Sequence, residues 1–437
     1  MNVSSLSKLN EKYSMFRCIA EDLKTDRMKF LFSAEDGLTS SEMETRCGSR
    51  ILEGYRPVFD AAPIEKMRMA GGKLMGKTNM DEFRFGVFGT NSPFGVPKNP
   101  YDPERSCGGS AGGSACAAAV IEDHVSLAVS SGGSICCPAS FCGVYGFVPT
   151  YGRVSRHGVI DTSGSVDRVG LLSSDPNKLS ESFSTISGKD QRDPTSCSQP
   201  EFKQKNKRIR TVAVPEEALS DASKDVLSVF NSSLENLRSM DIEIKQIKMP
   251  FLKYSMPAFY MLTAAEASTF LASFVGMRYG QQEGDLTLKF DDYFTSIRTE
   301  YFGEETKRRI LLGTYARTAK QRERYYIKGL KARTQIIDSY KKLFAEYDAV
   351  LTPTMPFVPP KFTDISKMTS AESYNATRFI VPPDLTGMPC LSVPCGYSEK
   401  LPIGMTLVTD HWMEDPLLTF AKAWGSAFKN KGPEVCL

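Results

Sequence analysis

Two serines, each preceded by a pair of glycines, are the residues of this chain best suited to chemistry. Ser110 follows Gly108-Gly109, and Ser134 follows Gly132-Gly133. Consecutive glycines allow backbone N–H groups to converge on one point, as an oxyanion site requires. Each serine also adjoins an Ala-rich or apolar stretch, so both turns are predicted to be ordered. A serine on such a turn could act as a nucleophile if a base lay within hydrogen-bonding distance.

The base cannot readily be a histidine. The sequence contains only three, His124, His157 and His411, and they are widely scattered. This scarcity disfavours zinc sites and histidine-based triads. The remaining route to an activated serine is a second serine that relays its proton to a lysine.

The cysteines indicate the compartment. Eleven are present without a CxxC pair, and several sit among small residues, which is typical of buried thiols. No secretory segment is recognised at the N-terminus, so a reducing, intracellular protein is expected. Cys136 and Cys137, close to Ser134, are interpreted as buried small residues rather than redox groups.

The elements that must position the serines alternate between strands and helices, which indicates an α/β fold. A polar helix is predicted over 1–27, and a strand over 28–34. A linker is predicted at 188–208. A helical insertion is predicted near 215–345, with one long helix over 304–346.

Charge and hydropathy exclude two classes of protein. Lys and Arg number 54 against 51 Asp and Glu, a balance that disfavours a dedicated nucleic-acid binder. No apolar run reaches the roughly 18 residues of a membrane helix. The basic stretch 307–333 is interpreted as a solvated face rather than an RNA-binding one.

The serine segments carry a family resemblance. GGSAGGSACAAA (108–119) and SSGGSICCPASFCGVYGFVPTYGR (130–153) resemble the amidase signature family, as do GKTNMDEF (76–83), GRVSRHGVI (152–160) and LTGMPCLSVPCG (385–396). Within that family they look most like A subunits of glutamyl-tRNA(Gln) amidotransferases. The resemblance implies one domain over 1–437, with a central mixed sheet covered by helices and a shortened N-terminus.

The resemblance also implies roles for the serines. Ser134 matches the nucleophile, and Ser110 matches a cis serine that relays the proton. Backbone N–H groups of Ser131, Gly132 and Gly133 would stabilise the oxyanion.

The lysine of the family triad is missing, because Glu35 stands at its position. A carboxylate has a reference pKa about 6 units lower than a lysine, so it is a much weaker base. As an anion it would also oppose charge building on the oxyanion. Glu35 is therefore predicted to be non-functional. Lys73 and Lys77 are the candidates to replace the missing catalytic lysine.

Other departures concern charges around the serine. The family reads Asp-Thr-Gly-Gly-Ser-Ile-Arg where this chain has Ser130 and Cys136 in place of the Asp and the Arg. Arg309 matches an arginine that holds the glutamine carboxylate. Thr377 replaces an aspartate that pairs with the α-ammonium group, and Tyr260 matches a pocket tyrosine.

In the family, the A subunit releases ammonia from glutamine. A B subunit then uses the ammonia with ATP and Mg²⁺ on misacylated tRNA, and a C subunit links the two. No cofactor or metal is expected in this chain itself. Two alternatives remain open: an inactive pseudo-amidase that serves as a scaffold or binding subunit, and a hydrolase of another amide. A cytoplasmic location is expected, with the mitochondrial matrix as the alternative.

Overall fold

A single mixed sheet organises the protein. The computed structural model describes residues 2–23, 28–197, 202–282 and 284–428, and in these ranges eleven strands join one sheet. The strands are β1 (Phe16–Ile19), β2 (Phe30–Glu35), β3 (Gly72–Thr78), β4 (Val125–Ser130), β5 (Tyr145–Val148), β6 (Arg168–Ser173), β7 (Thr211–Pro215), β8 (Glu243–Ile247), β9 (Ala349–Pro353), β10 (Cys390–Ser398) and β11 (Leu401–Val408). Their spatial order is β1-β3-β2-β4-β6-β5-β10-β11-β9-β7-β8. The mixed α/β sheet expected from the sequence is confirmed.

Helices cover the sheet. They are α1 (Val3–Tyr13), α2 (Ala62–Met69), α3 (Gly112–Val120), α4 (Cys136–Cys142), α5 (Pro176–Ile186), α6 (Glu216–Ser220), α7 (Lys224–Ser239), α8 (Ser255–Phe270), α9 (Phe290–Tyr301), α10 (Glu304–Arg317), α11 (Lys328–Leu343), α12 (Phe362–Ile365), α13 (Ser370–Asn375), α14 (Val381–Thr386) and α15 (Glu414–Ala427). Every residue of β4 and β6 is buried, which explains why these strands read as apolar runs. Among the described residues, no helix is long and apolar enough to cross a bilayer.

Small residues let α3 approach the sheet. A Cβ placed on Gly113 would lie 2.4 Å from the backbone oxygen of Met15 and 2.5 Å from that of Asn79. A larger residue would therefore push the helix away from β3. The Ala- and Gly-rich composition of 108–119 reflects this close packing.

Strand pairing brings the key segments to one edge. β2 is parallel to β4, with Ala34 opposite Leu127, so the ends of β2 and β4 lie at the same edge of the sheet. β4 is antiparallel to β6, with Ser130 opposite Arg168. Glu35, which ends β2, therefore lies near the turn that follows β4.

Three predicted elements differ from the structure. The helix predicted over 1–27 ends at Tyr13, and β1 follows because its backbone pairs with β3; residues 24–27 lie outside the described part. The insertion predicted as helical over 215–345 also contains β8, which extends the sheet beside β7. The helix predicted over 304–346 is broken between α10 and α11 by a turn and a short π-helical segment.

The stretch 188–208, predicted as a linker, contacts the body of the protein. The Cys197 N–H donates to the Gly152 carbonyl, and the Asp415 carboxylate accepts from the N–H groups of Lys205 and Lys207. Residues 198–201 of this stretch lie outside the described part.

Candidate functional site

The turn between β4 and α4, residues 130–134, forms what we term the serine loop. Ser134 lies at its end and is only 5% exposed. Gly133 has a φ of +93°, and a Cβ there would lie 2.4 Å from the Ile380 side chain. Glycine is therefore required at this position by both the backbone conformation and the packing.

Ser110 lies beside this loop. The Gly109–Ser110 peptide bond is cis, and the Ala111 N–H donates to the Ser134 carbonyl at 3.3 Å. The two serine segments are thus adjacent in space, although 24 positions apart in the chain. The Ser110 hydroxyl is buried and has no hydrogen-bond partner among the described residues.

Glu35 is fully buried where the resemblance places the lysine. Its Oε2 accepts a hydrogen bond of 2.6 Å from the Val129 N–H, and its Oε1 lies 3.9 Å from the Arg84 Nε. Burial raises the pKa of Glu35 to about 7, although Arg84 and the Val129 N–H act in the opposite direction. The carboxylate makes no hydrogen bond to Ser110.

Arg84 is a site residue that the sequence reasoning missed. It ends a short turn at Glu82–Arg84 with a φ of +65°, and its Nη2 donates to the Ile160 carbonyl at 2.6 Å. Burial lowers the pKa of Arg84, but the Cys47 thiol and the nearby carboxylates outweigh burial and raise it. The available signal was a charged residue between two phenylalanines, but nothing in the sequence linked it to Glu35.

The two lysines considered as stand-ins are engaged elsewhere. Lys77 is buried, and its ammonium group donates to the Leu38 carbonyl and, at 3.1 Å, to the Thr45 hydroxyl. Burial lowers the pKa of Lys77. Lys73 lies 3.3 Å from the Glu42 carboxylate. Neither lysine is hydrogen-bonded to Ser110.

Two further charged residues contact the serine loop, and the sequence reasoning missed their role. Asp384 of α14 accepts from the Ser130 hydroxyl at 2.8 Å and from the Gly133 N–H. Arg168 of β6 donates to the other oxygen of Asp384 at 2.5 Å. Both side chains are at most 2% exposed. No spacing in the sequence connects either residue to the loop.

Some of the backbone N–H groups that could bind an oxyanion are already hydrogen-bonded within the protein. The Gly133 N–H is taken by Asp384, whereas the N–H groups of Gly132 and Ser134 have no acceptor within the described ranges. The Ser131 hydroxyl donates to Asp167 at 2.5 Å. An oxyanion role for this loop therefore stays a prediction, with Gly132 and Ser134 as the available donors.

Arg309 is held between aromatic rings. Its guanidinium carbon lies 3.9 Å from the Tyr260 ring centre and 4.3 Å from that of Tyr374. Its Nε donates to Glu305 at 3.0 Å. The Thr377 hydroxyl donates to the Tyr374 carbonyl at 2.8 Å and is not hydrogen-bonded to Arg309.

A small cavity lies in front of Ser134. Its walls include Arg84, Ser131, Ser134, Thr263, Arg309 and Tyr374. As packed here, it has room for about one water molecule. Thr377 and Tyr260 do not line it.

The cysteines near the serine loop are buried, as predicted. The Cys136 and Cys390 sulfur atoms lie 3.8 Å apart, and the Cys137 thiol donates to the Val87 carbonyl. The hydrogen bond with Cys390 and burial both raise the pKa of Cys136. Among the described residues, no cluster of His, Cys, Asp and Glu is arranged to hold a metal.

Comparisons with known proteins agree with this architecture. The Amidase family model matches residues 35–418. The A subunit of the glutamyl-tRNA(Gln) amidotransferase of Archaeoglobus fulgidus is 39% identical over 96% of this chain and 90% of its own length. The corresponding A subunit of a Clostridium botulinum strain is 38% identical over 89% of this chain and 81% of its own length.

A solved structure gives the same result. The crystal structure of the glutamyl-tRNA(Gln) amidotransferase A subunit from Thermotoga maritima superposes with a TM-score of 0.83 at 32% identity, over 97% of this chain and 90% of that one. The chain therefore belongs to the amidase signature family. Within it, the similarity is to the A subunits of glutamyl-tRNA(Gln) amidotransferases.

Proposed function

We propose that this protein is an A-subunit-like component of a tRNA-dependent amidotransferase that serves in assembly and does not release ammonia from glutamine. The similarity to A subunits over nearly the whole chain supports the first part. The partners implied are a B subunit, which would handle the tRNA, ATP and Mg²⁺, and a small C subunit. Contact with tRNA would be indirect, through the B subunit.

The proposed absence of ammonia release rests on the environment of Glu35. Its side chain is a carboxylate that is bonded to the Val129 N–H and faces Arg84. An arginine stays protonated in proteins, so Arg84 can supply positive charge but cannot accept the serine proton. The Ser110 hydroxyl is left without a hydrogen-bonded base among the described residues.

The cavity supports the same conclusion. The free space in front of Ser134 holds about one water molecule, so glutamine could enter only by displacing the surrounding side chains. Arg309, the residue expected to hold the substrate carboxylate, is already paired with Glu305 and stacked on Tyr260. Thr377 supplies no charge for an α-ammonium group.

The test is reconstitution with the B and C subunits encoded in the same genome. We expect the three chains to co-elute in size-exclusion chromatography. The complex should convert Glu-tRNA(Gln) to Gln-tRNA(Gln) with ammonium chloride as nitrogen donor, but not with glutamine.

The control is Ser134→Ala, which should change neither reaction. Failure of the three chains to assemble would overturn the proposed assembly role. Conversion with glutamine that is lost in Ser134→Ala would overturn the proposed absence of ammonia release.

A further inference from the structure

The serine loop lacks two charges that the family carries in and beside it. Ser130 and Cys136 stand where the family has an aspartate and an arginine on either side of the serine. An aspartate at position 130 would supply acceptors to the loop, whereas Ser130 adds a donor, and an unsatisfied buried donor costs about 1–3 kcal/mol. Both the Ser130 hydroxyl and the Gly133 N–H are nevertheless bonded in this protein.

The acceptors come from another part of the chain. The Asp384 carboxylate bonds both ends of the Ser130–Gly133 turn, through the Ser130 hydroxyl and the Gly133 N–H. Ser130 is thus hydrogen-bonded to a carboxylate at the position where the family has a carboxylate of its own. The serine side chain at position 130 is shorter than an aspartate, which leaves space for the Asp384 carboxylate from α14.

The positive charge beside the loop belongs to Arg168 of β6. Arg168 pairs with Asp384 and also donates to the backbone carbonyls of Pro149, Pro383 and Met388. These bonds fix the guanidinium between β6 and the segment that carries Asp384. Both charges act on the Cys136 thiol: Asp384 raises its pKa and Arg168 lowers it.

We propose that Asp384 and Arg168 are positioning residues that hold the serine loop, in place of the aspartate and the arginine that the family carries in and beside the loop. The pair is buried, and Asp384 accepts three hydrogen bonds, so its desolvation is compensated. The pair acts on Ser134 through the backbone at Gly133. It plays this part whether or not Ser134 reacts with a substrate.

The test is backbone hydrogen exchange of residues 131–137 in the full-length protein. In Asp384→Asn with Arg168→Gln we expect exchange in this segment to be at least about tenfold faster, while exchange in β10 stays within about twofold. Adding Ser130→Asp and Cys136→Arg to that variant should restore the slow exchange, because the charges return to the loop itself.

The matched control is a second buried ion pair, on other elements of the fold. Arg17 on β1 and Asp36 after β2 lie 2.8 Å apart, with side chains 6% and 1% exposed. Arg17→Gln with Asp36→Asn should lower overall stability without a selective effect on residues 131–137. An equal effect of both double variants on that segment would overturn the proposal, as would a folded four-residue variant with fast exchange.

A milder variant carries the test if Asp384→Asn does not fold. Ser130→Ala removes one hydrogen bond to Asp384 and leaves the ion pair intact. Exchange of the Gly133 amide should rise about fivefold, the equivalent of one hydrogen bond of about 1 kcal/mol. Unchanged exchange at Gly133 would overturn the proposal.

Discussion

The Glu35 carboxylate faces the Arg84 guanidinium at 3.9 Å, and neither side chain is exposed to solvent. The pair separates two roles that one lysine can combine. A lysine can accept a proton and can then stabilise negative charge as an ammonium group. In this protein Arg84 retains a buried positive charge beside the cavity, whereas no group in the described ranges is hydrogen-bonded to Ser110 and able to take its proton.

Glu35 and Arg84 should be energetically coupled. Glu35→Gln keeps an acceptor for the Val129 N–H and removes both the charge opposite Arg84 and the cost of burying a carboxylate, so above pH 7 its own effect on the free energy of unfolding should be small. Arg84→Met leaves the buried Glu35 carboxylate without its counter-charge and should lower the free energy of unfolding by about 3 kcal/mol. The double variant should be less destabilised than the sum, by about 1–3 kcal/mol. Urea unfolding of the four proteins measures this.

The control cycle uses Arg238 and Glu235, whose side chains are 52% and 71% exposed. Its coupling should be below about 1 kcal/mol. Additive effects at Glu35 and Arg84 would show that the two charges do not interact.

Stability should depend on the charge of Glu35. Burial raises its pKa from 4.5 to about 7 in the folded protein, so the folded state binds the proton more tightly than the unfolded state. Its contribution to the free energy of unfolding is therefore full below about pH 4.5 and is lost as the pH rises through about 7. In Glu35→Gln, the loss of unfolding free energy between pH 5 and 7.5 should be smaller than in the wild type by up to about 3 kcal/mol.

Asp81, whose pKa burial also raises to about 7, contributes to the same decline in every variant. The comparison is therefore between variants and not with a flat profile. Glu346→Gln, at an exposed site, should leave the slope unchanged. A Glu35→Gln profile parallel to that of the wild type would contradict the assignment.

Restoring the lysine alone should fail. Glu35→Lys places an ammonium group opposite the buried Arg84. Because two buried cations then face each other, the free energy of unfolding should fall by at least about 3 kcal/mol. Adding Arg84→Met removes the repulsion and should recover most of that loss. Thermal unfolding of the single and double variants measures it. A single variant as stable as the wild type would mean that Arg84 does not face residue 35 in solution.

The buried thiols should be inert in the folded state. Of the ten cysteines in the described part, only Cys18 and Cys197 are partly accessible. Burial also raises the pKa of Cys137, which disfavours the reactive thiolate. A thiol-specific reagent followed by peptide mapping should label Cys136 and Cys137 only after denaturation. Rapid native labelling of either residue would contradict their burial.

The sequence was sufficient for the parts of the fold that depend on local pattern. The strand predicted over 28–34 is present as β2, and the alternation of strands and helices correctly predicted an α/β fold. β1 was missed because four partly polar residues form a strand only through pairing with β3.

The site could be predicted only in part. Glycine pairs identified the two serine turns because the turns need glycine at positions such as Gly133, with its positive φ. Arg84 and Asp384 were missed because each acts on a residue 49 or more positions away, Glu35 in one case and Ser130 in the other. No periodicity or spacing encodes such contacts, which arise because a turn and a helix, α14, pack against the ends of β2 and β4.

The most direct test of the central claim is ammonia release from glutamine by the purified wild-type chain and by Ser134→Ala, each assembled with the B and C subunits. Because no described group is hydrogen-bonded to the Ser110 hydroxyl, the proposal predicts that both complexes release ammonia only at the rate of the protein-free control. Release by the wild type above that rate, abolished in Ser134→Ala, would contradict the account.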